Sequence, residues 1–291
     1  MTLPVLVLLF LGDPGDGASK KLLPLYLKEA ETYSMSVESA PDGRLELKKE
    51  PVFQASNPAR SDQHGAAYLW LRDGRPAALG YVFSVTRQNL DGRQFYHELH
   101  ALDPEKLTVK REEDNKWEPK AGLVRQDAPG AKMPSSSPAA RRLQLRKIAR
   151  QFSGHSVDRE GKRWDLRLLP TPLFRYPTAE EGVVDGALFA MVSNAGTDPE
   201  VLLVVEAVKG EGGLAWRFAC GRFSDWPLHV VHQGKEVFTS VRDERNPFHH
   251  DEQHLYRIYP EKRVSPEGEL IARIRQLPQG RPVIIPVGGD E

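Results

Sequence analysis

Two periods alternate along this chain. The segments "LYLKEAETY", ending at Tyr33, and "LRKIARQF", ending at Phe152, are polar and helix-like, each with an aromatic residue near its end. After each of them the pattern changes to a period of two. Leu45 and Leu47 alternate with polar neighbours, as do Trp164 and Leu166, and longer runs follow in "GAAYLWLRDGRPAALGYVFSV" from Gly65 and "GALFAMVSNAGTDPEVLLVVEAV" from Gly186. Alternation of this kind places successive side chains on opposite faces of a strand. "RDGRP" at Arg72 to Pro76 and "HQGKE" at His232 to Glu236 are turn signals between apolar runs. The pattern predicts one helix followed by an antiparallel meander, twice.

A shift of 121 residues carries Gly65 onto Gly186, Phe95 onto Trp216, Leu107 onto Leu228 and Trp117 onto Phe238. Upstream the match drifts by about two positions, while the order of features holds. These observations predict an α+β fold of two tandem duplicated units, each one helix plus a curved antiparallel sheet, cystatin-like or NTF2-like in element order. One face of each sheet would rest on its helix, and the other would be free to curl over something. "QDAPGAKMPSSSPAARR", Gln126 to Arg142, reads as a linker, having too little apolar surface to offset the entropy of ordering it. The expected organisation is a signal segment over 1–19, a first unit over 20–120, a Pro/Ser-rich linker over 121–140, a second unit over 141–245 and a C-terminal extension over 246–291.

Charge removes one class of function. The 291 residues carry 40 basic and 40 acidic side chains, so no net positive charge favours a nucleic-acid partner. Cys220 is the single cysteine, which leaves no intramolecular disulfide and no cysteine zinc site. The apolar run Leu3 to Leu11, with small residues from Gly17 to Ser19, reads as a secretory signal, with an ordinary strand or an uncleaved anchor as alternatives. It is shorter than the ~20 residues that span a bilayer as a helix, and no later segment is a candidate for an integral membrane span.

Six motifs together, "QHGAAYLWLRDGRPAALGYVF", "FYHELHAL", "RRLQLRKIARQF", "RWDLRLLPTPLFRY", "VVDGALFAMVSNAGTDPEVLLVVEA" and "QGKEVF", resemble a family of predicted exported proteins of planctomycete bacteria. The resemblance runs from Leu22 to Phe238. It implies export and a bacterial source, and it supplies no catalytic residue.

Candidate chemistry concentrates in histidines. In "FYHELH" the period places Phe95, His97 and Leu99 on one face and Glu98 on the other, and the shift sets His97 where the second half has Phe218. His64 precedes Gly65, so His64 and His97 on neighbouring strands could converge in a pocket with an acid such as Glu98. A satisfied structural histidine is the competing reading for each. His250, Glu252 and His254 have types suited to a metal, yet "NPFHHDEQHLYRIY" reads as a loop entering a strand. Trp226, in the turn "SDWPL", is a candidate to stack on a ligand. The reading reached from sequence is a non-enzymatic exported protein that binds a protein, small-molecule or glycan ligand, with no cofactor implied. An NTF2-like hydrolase or isomerase with a His-lined pocket in the first unit is the alternative.

Overall fold

A computed structural model describes residues 16–57, 61–87, 90–111, 115–176, 182–194, 198–242, 244, 254–266, 268–276 and 282–287. The first half runs α1 (Asp16–Glu31), β1 (Ser34–Val37), β2 (Glu46–Asn57), β3 (Gln63–Arg72), β4 (Arg75–Arg87), β5 (Leu90–Ala101), β6 (Leu107–Arg111) and β7 (Asn115–Trp117). After β8 (Gln126–Asp127) come α2 (Pro138–Ala149), β9 (Phe152–Val157), β10 (Arg163–Leu168), β11 (Phe174–Arg175), β12 (Val183–Ser193), β13 (Pro199–Gly210), β14 (Gly213–Arg222), β15 (Leu228–His232) and β16 (Lys235–Ser240). The tail adds β17 (Tyr256–Val264), β18 (Leu270–Gln276) and β19 (Pro282–Pro286).

Strands make up most of the described residues, with two helices among them, and one of the three sheets curls into a half-barrel. The expected α+β class, built from tandem helix-plus-sheet units, is therefore incorrect, and so is the cystatin-like or NTF2-like comparison. The reason lies in the sheet faces expected to be free. Ala67, Leu69, Leu79 and Tyr81 of the first half pack in one core with Leu188, Leu202, Val204 and Ala219 of the second. Sheet thus rests on sheet, and each helix covers an outer face. Tyr26, Ala30 and Tyr33 close a core over Tyr68, Trp70, Phe95 and Leu99. Leu145, Ile148, Ala149 and Phe152 do the same over Phe189, Met191, Trp216 and Phe218. Eight consecutive residues of β3, Gln63 to Trp70, are buried because both of its faces are covered.

The sheets also ignore the expected unit boundaries. A seven-stranded sheet, in the order β19-β18-β17-β5-β4-β3-β2, joins the tail to the first half. A nine-stranded sheet runs β16-β15-β9-β10-β12-β13-β14-β8, with β11 on β12, while β1-β6-β7 stand apart as three strands. The Pro/Ser-rich stretch lies along the second sheet. Ala128 N–H donates to the Trp216 carbonyl and the Trp216 indole to the Lys132 carbonyl. Ser137 then caps α2 by accepting from Ala140 N–H, with Pro138 in the first helical turn where its missing donor costs nothing.

The ladders correspond between the halves. Phe95, His97 and Leu99 lie opposite Ser84, Val82 and Gly80, and Trp216, Phe218 and Cys220 lie opposite Ala207, Val205 and Leu203. Gly65 and Gly186 share a packing role: a Cβ at either would fall 2.5 Å from Tyr81 Cζ or 2.3 Å from Tyr176 Cε2. Each glycine makes room for a tyrosine ring from the next strand over. Residues 1–15 lie outside the described residues, and α1 runs through Gly17–Ser19. Among the described residues no helix is long and apolar enough to cross a membrane.

Candidate functional site

His97 is fully buried on the face that α1 covers, within a network drawn from four elements. Its Nδ1 is 2.6 Å from the Tyr33 hydroxyl, which also bonds the Tyr259 hydroxyl of β17. Its Nε2 is 3.4 Å from Glu29 Oε2. Glu29 receives Arg111 of β6 at 2.6 Å and Lys262 of β17, and Arg111 reaches Glu261 at 2.5 Å. Two carboxylates and two cations balance, so the imidazole is best accommodated neutral, and burial lowers its pKa. Burial opposes the charged form of Glu29, but contacts with His97 and Lys262 outweigh it and hold the carboxyl at about 2. The network fastens the tail strand β17 to α1.

The remaining sequence candidates are dispersed. His64 is buried on the same face as His97, but two strands away and in another ladder row, with Nε2 3.0 Å from Asp62 and Nδ1 buried without a hydrogen-bond partner. Glu98 points to the opposite face, where the Tyr256 hydroxyl donates to it. The structure therefore does not bring His64, His97 and Glu98 together. His250 and Glu252 lie outside the described residues, and His254 stands partly buried ahead of β17. Among the described residues no group of three or more ligating side chains is placed to hold a metal ion.

Glu98 instead opens onto a cleft of about 100 Å³ between the two halves. Tyr81, Phe83, Glu98 and Tyr256 line it from the seven-stranded sheet, and Ser193, Asp198, Glu200, Phe223, Asp225 and Trp226 from the other half. Its described lining holds four carboxylates and no lysine, arginine or histidine. Asp198 accepts from the Tyr81 hydroxyl at 3.0 Å and from Gln63 Nε2 at 2.7 Å, one bond to each oxygen. A β-bulge opposite Met191/Val192 leaves Glu200 as the extra residue of β13, and Ser193, paired with Leu166 at the end of β12, borders the cleft. Ser193 Oγ is buried with no hydrogen-bond partner. Arg222 donates to the carbonyls of Ser224 at 2.9 Å and Trp226 at 3.4 Å, which sets the loop presenting Asp225 and half-buried Trp226. Asp225 is 3.6 Å from Arg159 and from Arg242.

The far end of the same seam is a useful contrast. Glu206, six residues along β13 and on the same face as Glu200, is gripped by Arg75 through two bonds of 2.8 Å, by Arg125 at 3.2 Å and by the Tyr176 hydroxyl at 2.9 Å. Burial works against its charge, and the two guanidiniums outweigh it. Acids in this seam can thus carry charge when cations meet them.

No protein-family model, no curated protein and no solved structure matches the chain. Sequence reasoning missed Asp198, Glu200, Asp225, Ser193 and Tyr256. The available signal was an acid at each end of the aliphatic run "EVLLVVE", since charges on an otherwise buried strand require partners.

Proposed function

We propose that this chain is an exported binding protein whose site is the cleft between its halves, and that the cleft receives one cationic group, an ammonium or guanidinium. The carrying observation is the convergence of Glu98, Asp198 and Glu200, of Asp225 beside Arg159 and Arg242, and of the aromatic residues Tyr81, Phe83, Phe223, Trp226 and Tyr256 on one small space. Carboxylates attract a cation and accept its N–H groups, and ring faces add cation–π attraction. Size narrows the ligand. At about 100 Å³ the cleft is smaller than the ~150 Å³ cavity that holds benzene, so it suits the head of a lysine or arginine side chain or of a small amine rather than a sugar ring. The apolar run Leu3–Leu11 and the resemblance to exported planctomycete proteins support an extracytoplasmic setting. The hydrolase or isomerase alternative lacks its constellation, because His97 and Glu98 occupy opposite faces of β5 and His97 is enclosed.

Crystals soaked with ethylguanidine test the reading. Density among Asp198, Glu200 and Asp225 is expected, and a cleft that stays free of the probe at saturating concentration would contradict it.

A further inference from the structure

The ladder of the seven-stranded sheet places the mouth of the cleft. On the face turned to the second half, Leu69, Leu79, His100 and Tyr256 form one row across β3, β4, β5 and β17, and all four are buried. The next row is Ala67, Tyr81, Glu98 and Ile258, of which Tyr81, Glu98 and Ile258 line the cleft. The third is Gly65, Phe83, Tyr96 and Pro260, and in it Phe83 and Tyr96 are half-buried. Exposure therefore rises along the strands from the first row to the third. Phe83 lines the cleft and Tyr96 stands beside it, so the cleft opens over these two rings.

The rings are held in place. Tyr81 stacks on Phe83 with 5.1 Å between centroids and 21° between planes, and Phe83 stacks on Tyr96 at 5.2 Å and 10°. Tyr81 is tied in turn to the cleft carboxylate Asp198 through its hydroxyl. The acidic floor thus continues outward into a row of two rings, a proline and a glycine. Successive rows lie about 7 Å apart along a strand. A ligand that ended at its cationic head would leave this hydrocarbon half in water. A peptide laid over it would have to desolvate its amides there. An aryl group on a short methylene stem matches it, because rings pack on rings in offset or edge-on contact.

We infer that the cleft takes an arylalkyl cation, a guanidinium or ammonium head carried on a hydrocarbon stem that ends in a ring, with the ring lying on Phe83 and Tyr96. The inference rests on the cation reading of the cleft and adds the body of the ligand to its head.

Isothermal titration of the full chain with ethylguanidine, 4-phenylbutylguanidine and acetyl-Arg-Phe-amide tests it. Wild type should bind phenylbutylguanidine about tenfold more tightly than ethylguanidine, through the added apolar burial. Tyr96→Ala, checked for an unchanged thermal transition, should lose most of that advantage. In soaked wild-type crystals the phenyl ring should lie against Tyr96, a readout that needs no variant. The peptide should bind less tightly than phenylbutylguanidine. If neither guanidine binds, the cation reading falls and this inference with it. If ethylguanidine binds and the longer probe gains nothing, this inference alone is overturned. An advantage that survives Tyr96→Ala in full, or a phenyl ring seated elsewhere, also overturns it. A peptide that binds as tightly as phenylbutylguanidine, or more so, would make the ligand a polypeptide and overturn it as well.

Discussion

His97 and Phe218 hold corresponding places in the two sheets, opposite Val82 and Val205, and each packs on the aromatic residue that follows its helix. Tyr33 lies 5.7 Å from His97 and Phe152 lies 5.0 Å from Phe218, between ring centroids. The pairs even share a lid: Arg111 sits 5.5 Å over Tyr33, and His232 stacks 4.3 Å from Phe152. One half fills the position with bonded polar groups and the other with hydrocarbon. The Tyr33→Phe and His97→Phe changes are therefore coupled. His97→Phe alone should cost about 1–3 kcal/mol, because Tyr33 and Glu29 each lose a buried neighbour. The double variant, which reproduces the Phe–Phe pair, should cost about 1 kcal/mol less than the two singles combined. Additive losses in urea unfolding would refute the coupling.

Acid should weaken the fold in two stages. His100 is buried, its Nδ1–H donating to the Ala101 carbonyl at 2.7 Å, and burial lowers its pKa to about 4 from an ordinary 6.5. His97 is lowered for the same reason. The unfolded chain takes up these protons first, so the stabilisation is complete above pH 6.5 and is lost as pH falls toward the folded value. The expected slope is about 1.4 kcal/mol per pH unit for each histidine. Glu29, lowered from 4.5 to about 2, adds its loss only below pH 4.5. Urea midpoints measured from pH 7 to 3 should decline from the first unit, and His100→Gln should flatten the slope. A midpoint constant between pH 6.5 and 4.5 would contradict this.

Removing the charge of Glu206 should loosen the seam between the halves. Glu206→Gln leaves Arg75 and Arg125 facing a neutral amide in a buried place, at a cost of about 3 kcal/mol. Denaturant unfolding would read this as a lower midpoint with an unchanged slope. A loss below about 0.5 kcal/mol would show that the guanidiniums find other partners.

Gly65 and Gly186 are expected to differ in function while matching in stability. Alanine at either should cost about 1–3 kcal/mol by displacing a tyrosine ring. Tyr81 donates to Asp198 in the cleft, whereas Tyr176 donates to Glu206 at the other end of the seam. Gly65→Ala should therefore weaken binding of a cationic probe, and Gly186→Ala should leave it unchanged. Equal effects on binding would argue against the cleft as the site.

Much of the strand pattern was legible, because the apolar runs within Gly65–Val85 and Gly186–Val208 are the imprint of strands covered on both faces. The strand faces of Phe95, His97 and Leu99 followed from the same period. The class was misread because period two shows that a face is buried and not what buries it. Sheet against sheet and sheet against helix leave the same trace in Ala67, Leu69 and Leu79. The cleft was hidden for a different reason. Glu98, Ser193, Glu200 and Tyr256 come from β5, β12, β13 and β17, which meet only through long-range pairing and across the seam, and Glu200 sits at an irregularity in β13. Trp226 was singled out from its turn, and it stands at that cleft, where Arg222 holds its carbonyl.

Cation binding by the carboxylates of the cleft is tested most directly by isothermal titration with ethylguanidine and ethylammonium, with acetate as the control anion. Wild type should bind the cations and not acetate, with affinity falling as salt rises. Glu200→Gln and Asp198→Asn should each weaken binding about tenfold or more, the loss of one charge-assisted hydrogen bond. No heat with either cation, or equal affinity in both variants and wild type, would contradict it.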